Sequence, residues 1–189
     1  MVVENQLMVD EFERGDADAA HEKQSLDHLF SVTYEELRRL ASTVRRGDPS
    51  ATLNPTALVN EAWLKLAGSP QLATTSRLHF KRIAARAMRQ VLVEAARRRN
   101  ADKRGGDRAN FVTFDESIAP ACETELLGLD SALDELARMQ PRQATMVESR
   151  FFGGLEIAEI AELLDVSEAT VLRDWRAAKA WLAHELHRQ

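Results

Sequence analysis

The densest concentration of reactive side chains is a run of ten basic residues within 77–104: Arg77, Lys81, Arg82, Arg86, Arg89, Arg97, Arg98, Arg99, Lys103 and Arg104. Only Glu94 and Asp102 oppose them, a local net charge of +8 in a 189-residue chain whose overall net charge is −5. Arg82, Arg86, Arg89 and Arg97 recur at helical spacing and project from one side, interrupted only by Val93. Phe80, Ile83, Ala84, Ala87, Val91, Leu92 and Ala95 trace an apolar face on another side, as an amphipathic helix requires. Guanidinium groups offer forked donors that match phosphate oxygens, so such a stripe suits a polyanion backbone over several nucleotides. Phe80, His79 and the segment 69–77 could stack on or pocket an unpaired base, since aromatic rings bind bases without a duplex. For Phe80 a place in the core is the favoured alternative. The bland alternative for the whole run is a solvated helix face.

A second constellation lies at the C-terminus, in LEIAEIAELLDVSEATVLRDWRAAKAWL. Ile157, Ile160, Ala161 and Leu164 share one helical face. Asp165-Val166 then makes a tight turn, aspartate being among the residues that tolerate a left-handed backbone. Ser167 is a good N-cap for a second helix whose buried face is Val171, Trp175, Ala178 and Leu182. Short helix, tight turn and second helix make a helix-turn-helix pattern, which sets the start of the second helix against base edges in the major groove. The contact set on that pattern is Ser167, Glu168, Ala169, Thr170, Arg173 and Asp174, with Arg176 and Lys179 nearer phosphates. An ordinary helical hairpin is the competing account.

The elements that must position these groups all read as helices. A helix spans about Ser25–Arg46, ended by Gly47-Asp-Pro. Asn54-Pro55 is an N-cap followed by proline at the first helical position and opens a helix to about Ala67. The basic helix runs from about Ser76 to Arg99 or beyond. Periodicity dissolves over 105–124, where Gly105-Gly106 and Pro120 mark a linker. Helices resume at about Leu126–Met139, from Pro141 to Phe152, and over about Glu156–Leu164 and Glu168–His187. The expected fold is all-α: an acidic tail over 1–24, a helical domain over 25–104, the linker, and a helix-turn-helix domain over 125–189.

The order of these modules resembles bacterial sigma factors of the extracytoplasmic-function type. TALVNEAWLKLAG, HFKRIAARAMRQVLVEAARRRNADKRGG and the terminal PRQATMVESRFFGGLEIAEIAELLDVSEATVLRDWRAAKAWL carry the resemblance, which covers about residues 25–187. It implies that residues 25–104 bind core RNA polymerase and read and melt the −10 promoter element, and that 125–189 read the −35 element. It assigns Asn60, Glu61, Trp63 and Lys65 to polymerase binding, with Trp63 equally readable as core. It places Arg77, His79, Lys81, Arg82, Arg86, Arg89, Arg97 and Arg98 at the −10 element. Val93 among the arginines and Asp165 at a turn position where glycine is common are departures from the family pattern. The implied partners are core polymerase, promoter DNA and, in many members, an anti-sigma factor. A stand-alone helix-turn-helix regulator and a sigma-like adaptor that does not read DNA are the alternatives.

Enzymatic chemistry finds little support. There is no phosphate-cradling glycine loop and no HExxH pattern. His21 and His28 have no third ligand in view, and Cys122 is the sole cysteine, so neither an intrachain disulfide nor a cysteine-built zinc site is expected. No cofactor, metal or membrane association is expected, and the cytoplasm is the default location. The two promoter elements lie about two DNA turns apart, roughly 70 Å. A free linker of about 20 residues spans only about 25 Å. Without polymerase, the acidic residues of 1–24 or of the C-terminal domain are therefore expected close to the +8 helix, screening it from DNA.

Overall fold

A computed structural model describes residues 24–42, 54–67, 75–102 and 123–188. Among the described residues the architecture is all-α, seven helices with no strand. They are α1 over 24–42, α2 (Pro55–Leu66), α3 (Arg77–Asp102), α4 (Glu123–Met139), α5 (Pro141–Phe151), α6 (Ile157–Leu164) and α7 (Glu168–Arg188). The acidic tail and most of the expected linker lie outside the described residues. α4 starts at Glu123, earlier than its apolar periodicity suggests.

Local chemistry accounts for the helix ends. Asn54 accepts the Ala57 N–H at 2.7 Å and Pro55 follows at the first helical position, so α2 starts where the sequence places it. α6 closes on Asp165, whose φ of 52° and ψ of 51° are left-handed. The Val166 N–H reaches the Ala161 carbonyl at 3.0 Å and the Asp165 N–H reaches Glu162 at 3.3 Å. Those two bonds form a Schellman closure, with aspartate standing in for the usual glycine. Ser167 then caps α7 by accepting the Thr170 N–H at 3.2 Å.

The chain's two helical halves share one continuous apolar core. α3, 26 residues and about 39 Å long at 1.5 Å per residue, is its axle: it packs against α2 on one side and against α4, α5 and α6 on the other. Phe80, Ala85, Met88 and Val91 are buried along it, Phe80 completely. Val93 is buried as well. It interrupts the arginine pattern because that side of α3 faces protein rather than solvent. The halves come closest at Gly153-Gly154. A β-carbon on Gly153 would sit 3.0 Å from that of Ala85 in α3, and one on Gly154 (φ +60°) would collide with Leu40 of α1. Glycine is thus required there both by backbone conformation and by close approach.

Candidate nucleic-acid interface

Two surfaces were expected to meet nucleic acid, and they differ in how far their charges are already engaged. On α7 the buried face is Val171, Asp174, Trp175, Ala178, Leu182 and Leu186. Turning by 100° per residue, the opposite face carries Ala169, Leu172, Arg173 and Arg176, all exposed, with Glu168 at its start. Ser167 and Thr170 are engaged with each other at the cap of α7. The Ser167 hydroxyl takes the Thr170 N–H, and the two hydroxyls lie 3.0 Å apart. Asp174 also departs from its expected place. It is buried and accepts from Arg142 of α5 through Nε at 3.0 Å and Nη2 at 2.6 Å. A carboxylate so enclosed holds α5 to α7 and cannot read a groove in this arrangement. Lys179 is half-buried at the edge of the outward face.

On α3 part of the arginine stripe, Arg89 above all, is taken up by the other half of the chain. Arg89 donates to Asp130 Oδ1 from Nε at 2.9 Å and from Nη2 at 2.6 Å, and to the Asp130 carbonyl at 2.9 Å. It further reaches Asp134 at 2.6 Å and Glu148 at 3.1 Å. Burial opposes its charge, but the field of Asp130 and the hydrogen bonds to Asp130 and Asp134 outweigh it and hold the guanidinium above its ordinary pKa. Arg97 adds a 3.0 Å bond to the second oxygen of Asp130. Lys81, nearly buried, lies between Glu159 of α6 at 2.9 Å and Glu36 of α1 at 3.3 Å, and Arg77 pairs with Glu36. Glu159 performs two tasks, since its other oxygen accepts the Glu156 N–H at 2.8 Å at the start of α6. Burial alone would raise its pKa, yet the Glu156 N–H and Lys81 bring it below the usual carboxylate range.

Between α3 and the α4–α5 pair these groups enclose a cleft of about 300 Å³, with Arg86, Gln90 and Arg97 on one wall and Asp130, Asp134 and Glu148 on the other. Arg86 and Arg98 remain exposed, and Arg98 stands 3.8 Å from Glu94. Arg82 is half-buried with its Nε enclosed and unbonded among the described residues. His79 is exposed at the start of α3, its ring nitrogen 3.1 Å from the Ser76 hydroxyl. Carboxylates of the C-terminal half therefore lie against the basic helix at Lys81, Arg89 and Arg97, while the tail over 1–24 falls outside the described residues.

A family model of ECF sigma factors matches residues 6–188, nearly the whole chain and both helical halves together. The chain belongs to the ECF sigma factor family. Searches of curated proteins and of solved structures returned no match. Family membership makes this a sigma factor, with RNA polymerase binding, promoter recognition and transcription initiation as its general role. Among the described residues no helix is long and apolar enough to cross a membrane.

For this ECF sigma factor, α2 is the segment expected at polymerase. Asn60 is exposed and Glu61 half-exposed on its outward side. Leu64, 72% exposed, shares that side and escaped the sequence reading. Trp63 turns the other way and stacks on Phe30 of α1, ring centroids 4.3 Å apart, which favours the packing side of its two readings. Lys65 is drawn toward α3, where it bonds Glu94 at 2.8 Å, and that bond lowers the Glu94 pKa. Leu172 and the Asp130–Asp134–Glu148 group were also missed. Asp130 and Asp134 do stand four apart, on one face of α4. That spacing is a legible signal, but nothing in it names Arg89 as the partner.

Proposed function

We propose that this sigma factor reads a bipartite promoter with α3 and α7 and that core polymerase must part them first. α7 would read the −35 element with Ala169, Arg173 and Arg176 of its outward face and with Glu168 at its exposed start. α3 would supply Arg82, Arg86, Arg89 and Arg97 to the −10 element, along with the melting activity. α2 would dock on polymerase through its outward side. The observation that carries the two-step reading is Arg89 clasped by Asp130, Asp134 and Glu148. Bonded from all three of its nitrogens and 12% exposed, that guanidinium keeps at most one of its five donors for phosphate. Separation of the halves would restore those donors, and polymerase, holding the two DNA-reading parts about 70 Å apart, is the natural agent.

Reconstitution with core polymerase, followed by run-off transcription from promoters selected out of a random pool, tests this reading. Specific initiation that needs both elements is the expected result. Co-purification with polymerase without specific initiation would make the chain an adaptor. Tight binding of a palindromic site by the isolated protein would make it a stand-alone regulator.

A further inference from the structure

Among the described residues only four large apolar side chains are substantially exposed: Val32, Leu64, Met139 and Leu172. Leu172 differs from the others in its place, because it lies on the outward face of α7, 41% exposed, in the second turn of the helix. Exposed Ala169 precedes it by three residues and exposed Arg176 follows it by four, so both are its neighbours on the helix surface. The result is a small apolar island, Ala169–Leu172, bordered by Arg173, Arg176 and Glu168. Ala169 faces away from the core and Leu172 lies on the flank of that face, while the inward positions of α7 are filled by Val171, Trp175 and Ala178.

The major-groove edge of DNA offers one apolar group, the C5-methyl of thymine; the other features of that edge are hydrogen-bond donors and acceptors. An apolar island beside arginines on a groove-reading face therefore has one chemical complement. We infer that Leu172, supported by Ala169, selects a thymine in the upstream promoter element through its methyl group, next to the base or phosphate met by Arg173 or Arg176. The inference rests on the proposal that α7 reads that element. It adds a specificity residue that donates and accepts nothing.

Deoxyuridine keeps every hydrogen-bonding group of thymine and lacks only the methyl, so it isolates the contact. Holoenzyme reconstituted with core polymerase is used first to select upstream elements from random duplexes. Each selected thymine is then replaced by deoxyuridine and competition binding is measured for wild type, Leu172→Ala and Leu172→Met. One position should weaken wild-type binding about fourfold, the worth of burying a single methyl group. Leu172→Ala should bind the thymine site correspondingly less well and be indifferent to deoxyuridine there, whereas Leu172→Met should keep the sensitivity. Because Leu172 is exposed, unchanged thermal melting of both variants serves as the folding control. A selected element with no deoxyuridine-sensitive position, or equal sensitivity in wild type and Leu172→Ala, overturns the methyl contact alone. Selection of no upstream element at all overturns the reading of α7 and the contact with it.

Discussion

α3 and α7 are both long helices with arginines on the side away from their main apolar stripe, yet those arginines have opposite circumstances. On α3, Arg89 is 12% exposed and ringed by carboxylates. On α7, Arg173 is 73% exposed, with its neighbour Asp174 at 4.0 Å as its one ion-pair partner among the described residues. Position in the fold makes the difference. α3 is the axle between the halves and is covered on two sides, whereas α7 packs its inward stripe and leaves the rest to solvent. Local net charge therefore measures what a helix carries and says little about what it has free. One of the two arginine sets is open to solvent as it stands, and the other is partly engaged by carboxylates.

The sharpest way to break this comparison is to remove the clasp. Arg89→Met keeps most of the apolar stem but leaves Asp130, Asp134 and Glu148 facing one another, and a broken buried pair costs about 3–5 kcal/mol. Arg176→Met on α7 should stay within about 0.5 kcal/mol, as surface changes do. Urea unfolding of the two variants measures both, and equal losses would put the two arginines in the same class. Asp130→Asn on the Arg89→Met background should recover part of the deficit, because it relieves the repulsion.

Next in size is the effect on promoter choice. Arg173→Ala should relax base preference upstream by about 1–3 kcal/mol if its contact is bidentate, with little change in stability. Site selection with the variant holoenzyme provides the check, and unchanged preferences would remove Arg173 from the reading face. Ser167→Ala addresses the scaffold beneath that face. Loss of the cap should cost about 1 kcal/mol, seen as a lower midpoint in denaturant, and should weaken upstream binding without altering which bases are preferred.

The smallest effect concerns acid. Glu159 has a folded pKa lowered by the Glu156 N–H and Lys81, so it contributes stability above its unfolded value, near 4.5, and loses that contribution as pH falls through the lower folded value. Glu159→Gln should thus melt earlier than wild type at neutral pH, and the gap should close as the solution is acidified through that window. A gap constant with pH would mean that the charge of Glu159 contributes nothing to holding α6 against α3.

Much of the local structure was legible. The Asn54-Pro55 start, the Gly153-Gly154 stop, the Asp165 turn and the Ser167 cap are short-range chemistry, and each appears where residue types require it. Buried Phe80 followed from its periodicity. The contents of the site were less accessible, because burial of a polar residue is decided by a partner far along the chain. Asp174 stands beside the apolar stripe of α7, and only Arg142, 32 positions earlier, makes its burial affordable. Lys81 similarly depends on Glu159, 78 positions later. Leu172 escaped for another reason: it stands one residue past Val171, off the apolar stripe of Val171, Trp175, Ala178 and Leu182, and a lone leucine among arginines carries no signal of its own.

Separation of α3 from the α4–α5 pair can be followed directly by single-molecule energy transfer between dyes placed at exposed Asp27 of α1 and Ala180 of α7, with Cys122→Ser removing the native thiol. The free protein should give one population of short distance, and core polymerase should shift it to a long one as the reading helices move toward roughly 70 Å apart. Arg89→Met should populate the separated state before polymerase is added. Halves already apart in the free wild-type protein, or a short distance that persists in promoter-bound holoenzyme, would contradict a clasp that polymerase must open.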